Sequence, residues 1–249
     1  MSFKSVGIIG GGAWGTALAQ TMRLAGRETL LWAREPDVVN EINDRQANTA
    51  FLPGVTLDRG LRATARLADV AALDVVLMVA PAQHVRDIGL LLDQQMADGQ
   101  PLVLCAKGLE QASGKLLGEV VSEVLPRARL AVLSGPSFAA DVVLGLPAAL
   151  TLACADEQLG TQLVDSLGYR QFRLYRSTDV IGTQLGGAVK NVLAIAAGIV
   201  EGKALGASAH AALVTRGFAE LRRFGDALGA RAETLMGLSG LGDLLLTCG

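Results

Sequence analysis

The run Gly10-Gly11-Gly12-Ala13-Trp14-Gly15 is the first place where residue type and spacing suggest chemistry. Glycines at 10, 12 and 15 match G-x-G-x-x-G, between a strand-length apolar run at 6–9 and a helical pattern at 16–24. In that setting Gly10 permits a tight turn, Gly12 lets the backbone approach a pyrophosphate, and Gly15 lets helix and strand pack closely. The free N–H groups and positive dipole end of the helix then face the phosphates. A lone match of this kind also describes an ordinary glycine turn. The strand before it, the helix after it and the second strand beyond favour dinucleotide binding. Nineteen residues after Gly15, at the end of that second strand, stand Arg34 and Glu35. An arginine there accommodates the 2′-phosphate of NADP, whereas an acid bonds the ribose 2′-hydroxyl of NAD. Arg34 therefore favours NADP(H) and Glu35 keeps NAD(H) open; a solvated charge pair explains the spacing equally well.

Three further positions stand out. Lys107 follows the apolar stretch 102–106 and precedes Gly108, at the carboxyl end of an expected strand, where open α/β sheets bind ligands. Ser134-Gly135-Pro136-Ser137 follows the next strand and offers N–H groups and hydroxyls at the same edge. Lys190-Asn191 sits in a helix otherwise built of Gly, Ala, Val, Leu and Ile. Burying a lysine is costly and lowers its pKa toward the range useful for proton transfer. The commoner fate of such a lysine is to snorkel to solvent. His84 and His210 are isolated; His84 either lines the cleft or starts a helix, and no metal constellation is present.

These residues need a frame. Apolar runs at 6–9, 29–32, 75–79, 102–104, 130–133, 149–153 and 172–175 read as strands, and most are apolar throughout, as in a parallel sheet buried on both faces. Helical patterns at 16–24, 37–45, 83–94, 114–125 and 157–167 alternate with them, which predicts a Rossmann-like, doubly wound α/β sheet. Ser177-Thr178-Asp179 then offers an N-cap for a long helix to about Val200, followed by helices at 209–229 and 231–236 and the glycine-rich stretch 237–243. The expected division is a dinucleotide-binding domain at 1–178 and an all-α domain at 179–249. Because the second part ends just after Leu244-Leu245-Leu246-Thr247-Cys248, leaving that run poorly covered, the helical domain is expected to be incomplete.

Composition removes other classes. The chain has 249 residues, 51% hydrophobic and 18% charged, with 22 Lys plus Arg against 24 Asp plus Glu, which excludes disorder. A net charge of −2 without a basic block argues against nucleic acid as a partner. The three cysteines lack metal-ligand spacing and lie in apolar stretches, so they read as buried thiols in a reducing, cytoplasmic compartment. A signal peptide is rejected because four glycines interrupt the apolar N-terminal part. A membrane span is not expected, since beyond Lys190-Asn191 the uninterrupted apolar run is 9 residues against the ~20 required.

Taken together the segments resemble the bacterial-type NAD(P)-dependent glycerol-3-phosphate dehydrogenase family. The matching pieces, in family order, are residues 10–19, Asn48-Thr49-Ala50-Phe51-Leu52-Pro53-Gly54, Lys107-Gly108-Leu109-Glu110, Ser134-Gly135-Pro136-Ser137-Phe138-Ala139, Gly186-Gly187-Ala188-Val189-Lys190-Asn191-Val192, Thr215-Arg216-Gly217 and Gly240-Leu241-Gly242-Asp243-Leu244. The resemblance implies reversible reduction of dihydroxyacetone phosphate to sn-glycerol 3-phosphate for glycerophospholipid synthesis, with room for a homodimer. It implies that Lys190 is the proton acceptor and Lys107 a second lysine at the substrate, also near the cofactor. Gly135, Ser137 and Asp243 become substrate contacts, and Ala13, Trp14, Arg34 and Ala139 cofactor contacts beside Gly10, Gly12 and Gly15. Two departures exist. Asp141 stands where the family usually has Glu, and the family's Ser-Arg-Asn segment, whose arginine binds substrate phosphate, is absent. The chain as given is therefore expected to bind NADPH but to turn over poorly. Competing readings are another two-domain NADP reductase of the hydroxyacid or ketopantoate type, and a non-catalytic nucleotide-binding fragment.

Overall fold

The strand-length runs of Val, Ile, Leu and Ala assemble into one eight-stranded sheet in the computed structural model, which describes residues 3–249. The strands are β1 (Ser5–Ile9), β2 (Glu28–Trp32), β3 (Arg62–Thr64), β4 (Val75–Met78), β5 (Pro101–Leu104), β6 (Arg129–Ser134), β7 (Ala148–Ala153) and β8 (Phe172–Ser177). Their spatial order is β3-β2-β1-β4-β5-β6-β7-β8. The chain thus winds outward in one direction from β1, then crosses back to β4 and winds the other way. The carboxyl ends of β1 and β4 border the switch point where such sheets bind ligands.

Helices α1 (Ala13–Leu24), α2 (Pro36–Arg45), α3 (Leu67–Ala71), α4 (Val85–Leu92), α5 (Leu117–Val124), α6 (Ala139–Val143) and α7 (Glu157–Leu167) connect the strands. Successive side chains of a strand point to opposite faces. Val6, Ile8, Leu77 and Val103 accordingly enter one core with α1, while Ile9, Val76, Met78, Leu102 and Leu104 enter the other with α4 and α5. That two-faced burial is why the runs are apolar without alternation.

All seven expected strands form, and the structure adds corrections. β3 is a three-residue polar edge strand with no apolar signature. The sheet is parallel except at β6–β7, which is antiparallel. After β6 the chain turns at Gly135-Pro136, passes through the five-residue α6 docked on α1, and returns in the opposite direction. The helical pattern at 83–94 divides into a 3-10 turn, Ala82–His84, and α4, while α5 starts only at Leu117.

Beyond β8 come α8 (Val180–Gly202), α9 (Ala207–Ala227), α10 (Ala232–Met236), a π-helical turn (Leu238–Gly242) and α11 (Asp243–Cys248). Among the described residues no strand follows β8. Asp179 caps α8: one carboxylate oxygen accepts the Gly182 N–H at 2.8 Å and the other accepts the Arg231 N–H at 2.8 Å. We propose the division between 178 and 179 on that ground. By length and composition α8 is apolar enough to cross a bilayer. Its glycine face packs closely instead: a Cβ on Gly186 would lie 2.2 Å from the Ser239 carbonyl oxygen, so no other residue fits there. Val192, Ile195 and Ile199 on the same helix are exposed. The run 244–248 forms α11, with Leu244 and Cys248 buried against Ala197 and Leu245 exposed.

Candidate active site

The glycine turn performs three different tasks. Gly10 has φ +124°, in the region that favours glycine, and a Cβ there would meet the Val79 backbone at 3.1 Å. Gly15 brings α1 against the turn, since a Cβ on it would lie 1.9 Å from the Gly10 carbonyl oxygen. At Gly12 nothing lies within 4 Å of the missing Cβ. Its open face and the first N–H groups of α1, which no side chain caps, leave donors free at a helix N-terminus. Buried Asn48 steadies the turn, its amide donating to the Gly11 carbonyl at 2.9 Å and to Thr16 Oγ1 at 2.8 Å.

This turn floors a cleft of about 590 Å³ bounded by Trp32, Arg34, Glu35, Phe51, Pro81 and His84. The open Gly12, the uncapped helix end and the size of the cleft fit a dinucleotide. Arg34 is exposed at the rim and donates to Glu35 at 3.0 Å. His84 does line the cleft. Trp14 also borders a second cavity of about 290 Å³ lined by Ala80, Cys105, Lys107, Ser137 and Ala139. The lysine at the end of β5 therefore lines a cavity that shares Trp14, Val79, Ala80 and Pro81 with the cleft.

At its far side two lysines meet one carboxylate. Lys107 Nζ donates to Asp243 Oδ2 at 2.6 Å and to the Gly135 carbonyl at 3.2 Å. Lys190 Nζ donates to Asp243 Oδ1 at 2.6 Å and to Thr247 Oγ1 at 3.0 Å. The Asp243 side chain is 1% exposed, Lys107 23% and Lys190 13%, so the carboxylate is dry while both lysines keep some exposure, and Lys107 lines the cavity. Burial, followed by the repulsion of Lys190, lowers the Lys107 pKa against the opposing pull of Asp243. Gly187 makes room for this arrangement: a Cβ there would meet Ser134 Oγ at 3.0 Å and the Lys107 stem at 3.2 Å.

Each element has a local reason to hold its part. Lys190 rides on α8, whose Gly186 and Gly187 let the π-turn and Lys107 come close. Asp243 starts α11, and Thr247 follows one turn later on the same face. His210 Nε2 reaches the Cys248 carbonyl at 3.0 Å and ties α11 to α9. Gly135, with φ +153° and no room for a Cβ beside Leu150, exposes its carbonyl to Lys107 and to Ser137 Oγ.

Gly10, Gly12, Ala13, Trp14, Gly15 and Arg34 line the cleft, and Lys107, Ser137 and Ala139 line the cavity beside it; Gly135 and Asp243 are hydrogen-bonded to Lys107, with Lys190 on the other Asp243 oxygen. Asp243, expected as a substrate contact, is buried, and each of its carboxylate oxygens accepts from a lysine. Asn48 and Thr247 were not singled out for roles in the sequence. For Thr247 the four-residue spacing from Asp243 is the available signal; Asn48 opens the family-matching segment 48–54, which marks the position without giving it a role.

Residues 5–160 match the family described as NAD-dependent glycerol-3-phosphate dehydrogenase N-terminus, and residues 179–249 match its C-terminus. The chain belongs to the NAD-dependent glycerol-3-phosphate dehydrogenase family. It is 58% identical over 248 residues to a glycerol-3-phosphate dehydrogenase [NAD(P)+] of Parvibaculum lavamentivorans, covering 100% of this chain and 74% of that relative. It is likewise 58% identical over 244 residues to the glycerol-3-phosphate dehydrogenase of Paramagnetospirillum magneticum, covering 98% of this chain and 89% of that one. The crystal structure of glycerol-3-phosphate dehydrogenase from Coxiella burnetii superposes with a TM-score of 0.94 at 38% identity, over 99% of this chain and 76% of that one. A ketopantoate reductase from Ralstonia eutropha shares the fold alone, with a TM-score of 0.63 at 18% identity. The glycerol-3-phosphate dehydrogenase family therefore accounts for both halves of the chain, as an oxidoreductase of NAD(P) acting on a CH–OH group.

Proposed function

We propose that the chain interconverts dihydroxyacetone phosphate and sn-glycerol 3-phosphate, using NADPH or NADH, and so serves glycerophospholipid synthesis. The observation that carries this reading is the Lys107–Asp243–Lys190 bridge at the end of the dinucleotide cleft. Gly10, Gly12, Gly15, Ala13 and Trp14 would hold the dinucleotide, with Arg34 on a 2′-phosphate and Ala139 and Lys107 toward its nicotinamide end. When bound, the nicotinamide supplies hydride transfer to or from the secondary carbon.

The residues of the chain manage the proton and the orientation. In reduction, Lys190 Nζ gives a proton to the oxygen that becomes the hydroxyl; in oxidation the same nitrogen takes it back. Lys107, with Gly135 and Ser137, orients the substrate, and its ammonium stabilises negative charge growing on that oxygen. Asp243 holds the two nitrogens on one carboxylate, so neither must reorganise during the reaction. The lowered pKa of Lys107 favours a second reading in which Lys107 donates the proton and Lys190 orients.

A cytoplasmic protein free of membranes is proposed, since the three free cysteines are all buried, as suits a reducing compartment. A homodimer is the proposed assembly, supported by the exposed apolar side chains of α8; light scattering without detergent tests both. The deciding experiment for function is a substrate panel. Dihydroxyacetone phosphate should be reduced well ahead of ketopantoate and short β-keto acids; preference for either of the latter would overturn the proposal.

A further inference from the structure

The segment that follows β4 faces two ways. Pro81, His84 and Ile88 line the dinucleotide cleft. Between them, Gln83 and Arg86 turn the other way and grip the loop that carries Lys107. Gln83 Nε2 donates to the Leu109 carbonyl at 2.9 Å, and its Oε1 accepts the Gln111 N–H at 2.9 Å. Arg86 donates in a fork to Glu110, Nε to Oε1 at 2.7 Å and Nη2 to Oε2 at 2.9 Å, and Nη2 also donates to Glu123 at 2.8 Å. Glu110 is 8% exposed, and Arg86, followed by Ser113, holds its carboxyl down to about 2. Gly108, at φ +134°, presses against the same segment, its missing Cβ only 3.2 Å from the Ala82 Cβ.

Every residue from 108 to 111 is thus in contact with the cleft segment or within one residue of such a contact. Lys107 is the next residue upstream. We propose that Gln83 and Arg86 are positioning residues that register Lys107 Nζ to the dinucleotide cleft by clamping residues 108–111 to the segment lining it. The clamp explains why a bidentate arginine is used: its planar fork fixes direction as well as distance, which a lysine point charge does not. The proposal rests on the reading that Lys107 serves the substrate. A displacement of about 1 Å at a reacting group costs on the order of 10²-fold in rate, so a clamp three residues from the lysine has leverage on turnover.

The test is a double-mutant cycle with a readout that needs no turnover. Arg86→Met should leave the NADPH dissociation constant within about twofold and lower kcat/KM for dihydroxyacetone phosphate by ~10–100-fold. Arg86→Lys should recover part of the loss. In a Lys107→Ala background Arg86→Met should cost almost nothing further, because its effect passes through that lysine. NMR titration of labelled lysine should show the Lys107 pKa in Arg86→Met returning upward toward its ordinary value, as the ammonium leaves its buried place facing Asp243, Lys190 and the Cys105 thiol. Gln83→Leu, at an exposed position that tolerates the change, repeats the cycle if Arg86→Met does not fold. Wild-type kcat/KM and Lys107 titration in both variants would overturn the clamp, as would losses that persist undiminished without Lys107. Full turnover by Lys107→Ala itself would instead refute the substrate role of that lysine, and the clamp with it.

Discussion

Replacing Asp243 by Asn probes the two-lysine bridge without changing its size. The carboxylate accepts one ammonium on each oxygen, both at 2.6 Å. An amide has one accepting and one donating end, so whichever way it is turned its NH₂ confronts an ammonium. Removing one member of a buried ion pair costs ~3–5 kcal/mol. Because Lys107 and Lys190 keep 23% and 13% exposure, water relieves part of this, and we expect about 3 kcal/mol. At ~2–4 °C per kcal/mol for a chain of this size, the melting temperature should fall by about 6–12 °C near neutral pH. The pH dependence carries a definite sign. Lys107 has a lowered folded-state pKa, so between that value and 10.5 the unfolded chain binds more protons and stability rises with pH. Losing Asp243 lowers that pKa further, so the deficit of the variant is full below its new value and narrows as pH rises toward the wild-type value. Thermal melts of both proteins from neutral to alkaline pH measure this. A variant melting within about 1 °C of wild type at neutral pH, or a deficit that does not change with pH, would refute the reasoning.

Arg34→Ala should weaken NADPH by ~10-fold, the loss of one charged hydrogen-bonding group on the 2′-phosphate, while barely altering NADH; equal losses in titrations of both cofactors would remove Arg34 from that role. Gly12→Val fills open space, so it should abolish cofactor binding yet retain the fold by circular dichroism. Gly15→Ala drives a Cβ to 1.9 Å from the Gly10 carbonyl and should lower thermal stability as well. Gly187→Ala must displace Ser134 or Lys107 by a few tenths of an ångström, so kcat/KM for dihydroxyacetone phosphate should fall while NADPH affinity holds.

Much of this arrangement was legible in the residues because burial leaves a strong mark. Strands covered on both faces must be apolar throughout, and the seven expected ones all formed. The glycine turn was readable because each glycine answers a separate constraint. What escaped was set by partners distant in sequence. β3 pairs as a polar edge, so packing leaves no pattern in it. The reversal at β7 depends on where α6 docks, which no local spacing encodes. Lys107 and Lys190 could each be picked out, but their convergence on Asp243 arises from the meeting of β5, α8 and α11. The buried state of Asp243 is likewise a tertiary fact, since an aspartate starting a helix is ordinarily an exposed cap.

The central proposal is that Lys190, joined through Asp243 to the Lys107 that lines the cavity beside the dinucleotide cleft, delivers the proton. The most direct measurement compares the full-length enzyme with its Lys190→Ala variant in dihydroxyacetone phosphate reduction, alongside NADPH titration of both. Turnover should fall by ~10²–10⁴-fold, the usual contribution of a positioned acid or base, with NADPH affinity unchanged because the glycine turn lies apart from α8. Near-wild-type turnover in the Lys190→Ala enzyme would contradict the account.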